Sequence, residues 1–510
     1  MKRALISVYD KSGIVDFAKK LENLGWEIIS TGGTKNLLND EGIKAIDIKE
    51  VTNFPEILDG RVKTLNPLIH GGILYKRDNK EHIDTIKKHD IGSIDMIVNN
   101  LYPFEETINK ENVTDEEIIE NIDIGGPSMI RAAAKNYKDV VVVIDPSDYN
   151  NILKELEENK DVSIETKRYL AGKVFNYTSY YDSLIAEYFN NINSVEFPEY
   201  LTLGYKKKDE LRYGENSHQK AAFYINHKDT LGTMANIKQL HGKELSFNNI
   251  NDSNGAISII KEFEEPAVVA IKHSNPCGVG LGEDLYTAYM KAYECDKESI
   301  FGGIVALNRQ VDEKVAKKMS EIFLEVIIAP GFSQEAIEIL TKKKNVRLIE
   351  IKDLLKNDYT EKNTKKVLGG LLVQDRDDVL FLDEVECVTD RKPTEEEYKD
   401  LYFAWKVSKY INSNGVIIAK DEKTVGIGLG EVNRYWAVEK AIQRGKEEVK
   451  GSVLASDGFF PFKDSMIEMG QAGITAVIQP GGSIRDEEVI EEANRRGIAM
   501  LFTKTRHFKH

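Results

Sequence analysis

The chain is poor in cysteine. Only Cys277, Cys295 and Cys387 occur in 510 residues, and no two of them form a C-x-x-C pair. A disulfide framework is therefore not expected, and a reducing, cytoplasmic compartment is favoured. The nine histidines show neither H-E-x-x-H nor H-x-E spacing. We accordingly predict no metal site built from the chain's own side chains, because zinc ligands usually lie close together in sequence.

Long apolar runs and an excess of positive charge are also missing. No apolar stretch approaches the roughly 18 residues that a membrane helix needs, and the start MKRALISVYDKSG turns polar too early for a secretory signal. With 69 Lys and Arg against 84 Asp and Glu, the formal net charge is -15. This balance argues against a protein that coats nucleic acid, while local basic pockets for small phosphorylated ligands remain compatible with it.

Strands and helices alternate along the chain, which predicts an α/β fold. The predicted strands of the first part are ALISVY, WEIIS, IDMIVNN and DVVVVID. Their almost continuous apolar character is typical of parallel strands that helices cover on both faces. Residues 164–190 predict a tyrosine-rich helix, and the polar stretch that follows places a domain boundary between residues 198 and 199.

The same alternation returns in the rest of the chain. The predicted strands there are PAVVAIK, SIFGGIVAL, LEVIIAP, GVIIAK, SVLASD and TAVIQP. They predict a second α/β domain over residues 199–510, composed of two related subdomains.

Two stretches of the first domain are candidate anion sites. In IISTGGTKNLL a glycine turn before a helix suits a phosphate, although an ordinary turn with Thr34 as the helix N-cap is an equal alternative. In GRVKTLNPLIHGG, Arg61, Lys63 and Thr64 form either an oxyanion site or a solvated basic loop.

Two further stretches place polar side chains near the same domain's predicted sheet. Asn99, Asn100 and Tyr102 follow the strand IDMIVNN, at the kind of strand end where open parallel sheets bind ligands. Asp123 precedes a Gly-Gly turn and a helix that carries Lys135. Taken singly, Asp123 is equally well a helix N-cap and Lys135 a surface lysine.

The second domain contains IKHSNPCGVG, residues 271–280. An apolar run delivers Lys272 and His273 to a predicted turn rich in Pro and Gly, and Cys277 lies four residues further on. The residues alone leave open whether the cysteine acts as nucleophile or ligand, or whether the Lys-His pair carries the chemistry.

About ten separated motifs together resemble one family. TGGT, RVKTL, NLYPF, IDIGG and RAAAKN are similar, in this order, to the cyclohydrolase half of the bifunctional phosphoribosylaminoimidazolecarboxamide (AICAR) formyltransferase/IMP cyclohydrolase family. The motifs that resemble its formyltransferase half are LRYGENSHQ, KHSNPCG, SIFGGIVAL, IIAPGF, SNGVIIA, GIGLGEVNR, SDGFFPF and QPGGS. The resemblance spans essentially the whole chain.

The resemblance implies a fold and two consecutive reactions. It implies a methylglyoxal-synthase-like parallel-sheet domain followed by a cytidine-deaminase-like formyltransferase domain. The second domain would transfer a formyl group from the co-substrate 10-formyltetrahydrofolate to AICAR, and the first would close formyl-AICAR to IMP with loss of water. It further implies a homodimer without redox cofactor or catalytic metal, and no nucleic-acid or membrane partner.

For formyl transfer, the resemblance implies that His273 accepts the proton of the AICAR amine, assisted by the substrate's carboxamide. Lys272 would stabilise the oxyanion of the tetrahedral intermediate or protonate the departing folate nitrogen, and Asn414 would hold the formyl oxygen. Cys277 is then a packing residue. Glu431 stands where the family usually has glutamine, which leaves the contacts around it open.

The remaining positions follow from the same resemblance. Those expected to bind the nucleotide in the second domain are Arg212, Tyr213, Gly302, Glu325, Asn414 and Arg434. Arg506 is expected to contact the nucleotide phosphate or the nearby folate. Those expected to bind the folate are Phe459, Asp464 and Ser483, of which the aromatic suits a flat pterin.

For ring closure, Lys135 matches the family's proton-transfer residue, with Tyr102 and Asp123 expected nearby and Lys63 expected to bind an oxyanion or phosphate. The positions expected to bind the substrate here are Lys11, Thr31, Gly32, Gly33, Thr34, Arg61, Thr64, Asn99, Asn100 and Ile124. A working lysine would need its pKa lowered by burial or by neighbouring cations.

Two alternatives belong to other classes. A non-catalytic purine nucleotide sensor would bind through the TGGT and RVKT loops without folate-dependent turnover. A zinc deaminase would need a second cysteine at position 280, where Gly280 stands, and an upstream H-x-E.

Overall fold

The structure is a computed structural model that describes residues 1–228, 230–357 and 359–510. These residues fold as two compact units, Met1–Tyr205 and Lys206–His510. The sequence placed the boundary between residues 198 and 199. In the described part of the chain, no helix is long and apolar enough to cross a membrane.

The first unit contains one five-stranded sheet in which every neighbouring pair is parallel, in the order β3-β2-β1-β4-β5. Its strands are β1 (Arg3–Ser7), β2 (Glu27–Ser30), β3 (Ala45–Asp47), β4 (Met96–Asn99) and β5 (Val141–Val143). Its helices are α1 (Ile14–Asn23), α2 (Gly32–Asp40), α3 (Ile48–Thr52), α4 (Pro67–Leu74), α5 (Lys80–Lys88), α6 (Phe104–Ile108), α7 (Asp115–Glu120), α8 (Gly125–Lys135), α9 (Tyr149–Asn159) and α10 (Ile164–Ile192).

The apolar strands explain this arrangement. Ala4, Leu5 and Ile6 on β1 are completely buried, as expected for a central strand with helices on both faces. The predicted parallel α/β domain and its four strands are confirmed. Because all five strands point the same way, their carboxyl ends share one edge, and the loops from those ends are the natural place for a site.

The second unit is built on a twelve-stranded mixed sheet, with two separate two-stranded sheets, β6-β7 and β14-β15. Its strands are β6 (Tyr205–Leu211), β7 (Ala221–Asn226), β8 (Lys238–His241), β9 (Ala267–Lys272), β10 (Asn275–Leu281), β11 (Ile304–Leu307), β12 (Val326–Ala329), β13 (Arg347–Glu350), β14 (Asn363–Val367), β15 (Gly370–Gln374), β16 (Glu386–Cys387), β17 (Val416–Lys420), β18 (Lys423–Gly428), β19 (Val453–Ser456), β20 (Ala476–Gln479) and β21 (Ala499–Phe502). Its helices are α11 (Phe247–Ile260), α12 (Leu285–Cys295), α13 (Glu313–Met319), α14 (Gln334–Leu340), α15 (Glu395–Ser408), α16 (Arg434–Gly445), α17 (Asp464–Ala472) and α18 (Asp486–Arg496).

The large sheet consists of two halves with the same element order. The first half runs β8-α11-β9-β10-α12-β11-α13-β12-α14-β13, and the second runs β16-α15-β17-β18-α16-β19-α17-β20-α18-β21. In space the strands follow β8-β13-β12-β11-β9-β10 and β16-β21-β20-β19-β17-β18. The halves join where β10 pairs antiparallel with β18. We call them the first half and the second half.

Glycines at matching positions let a helix lie directly on a strand in each half. A Cβ on Gly278 of β10 would lie 1.9 Å from the carbonyl oxygen of Ala292, and one on Gly426 of β18 would lie 2.2 Å from that of Ala441. The stretch NPCGVGL is therefore a strand, and its prediction as a Pro-Gly turn is wrong. The glycines serve the close approach of α12 rather than a bend in the chain.

Candidate functional site

A cavity of about 600 Å³ opens at the carboxyl edge of the parallel sheet in the first unit. The sequence-predicted residues that line it are Lys11, Thr31, Gly32, Gly33, Thr34, Arg61, Lys63, Thr64, Asn99, Asn100, Tyr102, Asp123 and Ile124. Ser7, Tyr9 and Glu120 also line it and were missed by the sequence reasoning. Ser7 was within reach of prediction, because it ends a central parallel strand.

The glycine turn forms one wall of the cavity. Helix α2 begins at Gly32, and its N-cap Thr31 makes no side-chain capping bond within the described residues. The Thr31 hydroxyl instead lies 3.0 Å from that of Ser7. Thr34 lies inside the helix and exchanges hydrogen bonds with the backbone of Val8, so its alternative reading as N-cap is wrong. The positive end of α2 therefore faces the cavity.

Two asparagines fix the loops at the end of β4 and β1. Asn100 Oδ1 accepts the backbone N–H groups of Tyr9 and Asp10 at 2.6 and 2.9 Å. Asn99 Nδ2 donates to the carbonyl of Ser7 at 2.5 Å, while Asn99 Oδ1 is buried without a hydrogen-bond partner in the described chain. A buried acceptor on a cavity wall is suited to a donor group of a ligand.

Asp123 brings a carboxyl group with a raised pKa to the cavity. Burial raises its pKa above the usual aspartate value, although the N–H of Gly126, which donates to Oδ1 at 2.8 Å, and the charge of Lys63 act in the opposite direction. The backbone N–H of Asp123 donates to the hydroxyl of Tyr181 at 2.8 Å, which anchors this loop to α10. A carboxyl group with a raised pKa is suited to general-acid chemistry.

Arg61 already has an acidic partner at the cavity. It forms an ion pair with Glu120, and this interaction raises the pKa of the arginine. The pair is largely exposed, so solvent screening keeps it weak and a ligand anion can compete for the guanidinium.

Lys135 is not among the residues that line this cavity. Helix α8 starts at Gly125, next to Asp123, and ends at Lys135. Its eleven residues span about 16 Å at about 1.5 Å per residue. A helix between parallel strands returns the chain to the amino edge of the sheet, away from the carboxyl edge. Lys135 therefore lies at the far end of α8 from Asp123, and its predicted role beside Tyr102 and Asp123 stays a prediction.

In the second unit, Lys272 and His273 lie at a tight hairpin between β9 and β10. Lys272 pairs with Asn275, so only His273 and Ser274 form the loop. Their φ angles of 53° and 59° are both in the left-handed region, as in a type I′ turn. His273 is exposed, and Lys272 Nζ donates to the carbonyl of Phe301 at 2.9 Å. Lys272 is thereby joined to the residue before Gly302, another predicted position.

Asn414 is held by the loop that carries Glu431. Its Nδ2 donates to the carbonyl of Glu431 at 2.8 Å, and its backbone N–H donates to the same carbonyl at 3.1 Å. The Glu431 carboxylate forms an ion pair with Lys440 at 2.5 Å. The unusual glutamate thus has a cation of its own and contacts Asn414 only through its backbone.

Arg434 is buried rather than open to a ligand. It lies at the start of α16, and its Nη1 bonds to Asp457, a carboxylate that is 0% exposed, and to the hydroxyl of Ser456 at 3.0 Å. Asp457 also accepts the backbone N–H of Gly415 at 3.1 Å. The ion pair with Asp457 gives Arg434 a structural role. The sequence predicted only that Arg434 binds the nucleotide.

The other predicted positions of this unit are spread over several loops. Glu325 pairs with Arg347 at 3.5 Å, and the charge of Arg212 acts on Arg347 as well, so these groups share one neighbourhood. Tyr213 lies under the guanidinium of Arg212, with 4.8 Å from that group to the ring centroid. The sequence did not predict Arg347, because the lysine-rich stretch before it made this arginine look like one more surface cation.

The predicted folate positions lie on two loops of the second half. Phe459 is 40% exposed, as an aromatic platform for a ligand should be. Asp464 is the first residue of α17, and the Ser483 hydroxyl accepts the backbone N–H of Arg485 at 3.2 Å. Arg506 lies over the ring of Phe508, 4.8 Å from its centroid.

Cys277 lacks the properties of a reactive thiol. Burial raises its pKa to about 12, and the neighbouring Cys295 and Asp296 act in the same direction. A nucleophilic cysteine needs a lowered pKa. Across residues 1–228, 230–357 and 359–510, no cluster of three His, Cys, Asp or Glu side chains could hold a metal ion.

Comparisons with known proteins agree over the whole chain. A family model described as the AICARFT/IMPCHase bienzyme matches residues 133–444, and one described as the MGS-like domain matches residues 13–128. Three relatives are called bifunctional purine biosynthesis protein PurH. Those from Caldicellulosiruptor saccharolyticus, Thermoanaerobacter sp. and Bacillus subtilis are 56%, 57% and 54% identical to this chain, and each match covers 100% of both sequences.

Proposed function

The chain belongs to the AICARFT/IMPCHase bienzyme family, and from this premise we propose which of its residues carry the two reactions. It is an AICAR formyltransferase and IMP cyclohydrolase of de novo purine synthesis. We propose that the first unit closes the ring and that the second unit transfers the formyl group. The observation that carries this division is the cavity at the carboxyl edge of the first sheet, which is built separately from the exposed His273 turn.

In formyl transfer, the AICAR amine attacks the formyl carbon of 10-formyltetrahydrofolate. A new C–N bond forms while the bond from the formyl carbon to the folate nitrogen breaks. His273 accepts the proton that the amine loses, because its imidazole ring is exposed and histidine is the side chain that most often acts as a general base. Lys272 and Asn414 stabilise the oxygen of the tetrahedral intermediate, and the departing folate nitrogen gains a proton.

In ring closure, the carboxamide nitrogen of formyl-AICAR attacks the formyl carbon, a C–N bond forms and the carbonyl oxygen becomes an oxyanion. The oxyanion takes up the proton that the attacking nitrogen loses, and the resulting hydroxyl group leaves as water. The formamide nitrogen then gives up its proton as the C=N bond forms, and this proton replaces the one that Asp123 donates. Lys63 stabilises the developing oxyanion, because it lies close enough for its charge to act on the carboxyl group of Asp123 in the same cavity. Asp123, whose pKa is raised by burial, donates a proton to the departing hydroxyl group. Tyr102 lies on the same wall, and the uncapped start of α2 at Gly32 binds the phosphate.

We propose that the second unit has a cytidine-deaminase-like fold, and its strand pattern supports this. In each half an antiparallel hairpin is followed by three parallel strands with helices between them. The folate is proposed to bind near Phe459, Asp464 and Ser483, with no metal taking part in either reaction.

We further propose that the enzyme acts as a homodimer. The β14–β15 hairpin exposes four apolar side chains, among them Leu368 and Leu372, in a two-stranded sheet that lies outside the main one. A second copy would also explain how Lys135 serves ring closure, since Lys135 is not among the residues that line the cavity of its own chain. Mixing Lys135→Ala protein with Asp123→Asn protein should then restore cyclisation that neither shows alone. No recovery after subunit exchange would contradict this role.

One experiment tests the division of labour. Formyl transfer is followed by the release of tetrahydrofolate, and cyclisation by the formation of IMP from supplied formyl-AICAR. His273→Ala should abolish transfer and leave cyclisation intact, whereas Asp123→Asn should do the reverse. If either folded variant loses both activities, the two sites are not separate as proposed. AICAR or IMP binding without any turnover would favour the sensor alternative.

A further inference from the structure

Asp252, on α11, holds the turn that carries His273. Its Oδ2 accepts the backbone N–H of His273 at 3.2 Å, and its Oδ1 accepts the hydroxyl of Ser274 at 2.8 Å. The adjacent Asn251 donates from Nδ2 to that hydroxyl at 2.7 Å. Both residues of the two-residue loop are thus tied to one helix.

The turn has an intrinsic need for this support. His273 and Ser274 both adopt the left-handed conformation, which side chains with a Cβ disfavour and which Asn or Gly normally fills in such hairpins. Strained backbone of this kind persists only where the surrounding structure fixes it. The carboxylate of Asp252 is the group that contacts both strained residues.

The second half supplies an independent instance of the same device. Asp400 occupies in α15 the place that Asp252 occupies in α11, six residues into a helix of 14 residues. It accepts the backbone N–H groups of Asp421 and Glu422 at 3.0 and 2.6 Å. These two residues form the β17–β18 turn, with φ angles of 53° and 54°. An aspartate on the preceding helix therefore holds the hairpin turn in both halves, also where the turn contains no histidine.

We propose that Asp252 is a positioning residue for formyl transfer. It fixes the backbone of the His273 turn, so that the imidazole is presented in one orientation to the AICAR amine. It acts through His273, and the proposal rests on the proton-accepting role proposed above for that residue. Preorganisation of a catalytic group in this way acts on the rate of the chemical step more than on substrate binding.

Asp252→Asn tests this role with little change of shape. The amide keeps one acceptor oxygen and loses the other, so one of the two ties to the turn is broken. We expect kcat for formyl transfer to fall about 10- to 100-fold, because misplacing a group by about 1 Å costs about 100-fold. The KM for AICAR should change less than about threefold, and cyclisation of supplied formyl-AICAR should be unchanged.

Asp400→Asn is the matched control, since it breaks the equivalent tie in the half that has no histidine. It should leave the kcat of formyl transfer within about twofold of the wild-type value, as expected for a distant independent site. An equal loss of transfer in both variants would mean general loosening of the sheet and would overturn the proposal.

Ser274→Gly provides a suppressor test. Glycine adopts the left-handed conformation without strain, so adding it to Asp252→Asn should recover part of the lost kcat. No recovery would contradict the claim that Asp252 acts by holding this turn. His273→Ala distinguishes the proton-accepting role of His273 from the positioning role of Asp252. If that variant retains transfer, the role of His273 fails; if it loses transfer while Asp252→Asn keeps full kcat, only the positioning role fails.

Discussion

The two halves of the second unit build the same hairpin and place different side chains on it. In each half a lysine ends the first strand of the hairpin, β9 or β17, and donates from Nζ to a backbone carbonyl. Lys272 donates to Phe301 at 2.9 Å and Lys420 to Lys450 at 3.0 Å. The residue after each of these carbonyls is a glycine with positive φ, 72° in the first half and 76° in the second. The lysine contact is therefore part of the scaffold in both halves.

What differs is the first residue of the turn. It is His273 in the first half and Asp421 in the second, and both are exposed. The first half thus presents a group that can accept a proton near neutral pH, and the second half presents a carboxylate. An ammonium group has three N–H donors, so Lys272 has two more besides the one that bonds to Phe301, and these are available for the role proposed above. The lysine contact is thus shared by the two halves, whereas the histidine is found only in the turn of the first half.

The halves also differ in a buried polar group that follows their fourth strand, β11 in the first half and β19 in the second. Asn308 in the first half accepts the N–H of Ala267 at 2.8 Å, and Asp457 in the second accepts that of Gly415 at 3.1 Å. The first is neutral, whereas the second is a buried charge that needs a counterion. Arg434 provides it. The comparison explains why an arginine stands at the start of α16 where α12 starts with an apolar residue.

The largest expected effect is a loss of folding stability when the Arg434–Asp457 ion pair of the second half is removed. Arg434→Leu leaves the carboxylate of Asp457 buried without a partner, which should lower the free energy of unfolding by about 3–5 kcal/mol. The double variant Arg434→Leu with Asp457→Asn recreates the arrangement of Leu285 and Asn308 in the first half, so it should regain most of that loss. Urea unfolding of the three proteins measures both steps. Wild-type stability in the single variant would refute the counterion role.

A smaller effect is expected from Asp400, and it depends on pH. Burial raises the pKa of this carboxyl above the unfolded value of 3.8, so the folded state binds its proton more tightly. The resulting stabilisation is present below 3.8 and is lost as the pH rises through the folded pKa. Asp400→Asn does not titrate.

The cost of Asp400→Asn should therefore be larger at acid pH than at pH 7, where we expect about 1 kcal/mol for the lost hydrogen bond. Denaturant unfolding of both proteins across that range measures the difference. A cost that increases towards pH 7 would mean that the folded state prefers the charged form of Asp400, contrary to its burial.

Periodicity in the sequence was sufficient for much of the fold. Apolar runs such as DVVVVID and GVIIAK correspond to β5 and β17, since a buried strand leaves few other choices of residue. The strand β10 was missed because Pro276, Gly278 and Gly280 are typical of turns. Those glycines are required by the approach of α12 to the strand, and a contact between distant segments leaves no periodic signal in either of them.

The cavity of the first unit was also largely predictable, because parallel strands bring Asn99 and the glycine turn to one edge. Lys135 is not among the lining residues, and motif order alone gives no direction for the helix that carries it. Asp252 gave no signal of its own in NNINDSNGA. Only the repeated geometry, with Asp400 at the same place in the second half, reveals what it does.

We propose that formyl transfer depends on the histidine turn of the first half and not on its counterpart in the second half. The most direct test of this claim measures tetrahydrofolate release with His273→Ala and Asp421→Ala side by side, each checked for fold by intact cyclisation. Loss of a general base typically costs about 10²- to 10⁴-fold, so we predict a fall of this size for His273→Ala and a wild-type rate for Asp421→Ala. Equal rates in the two variants would contradict the claim.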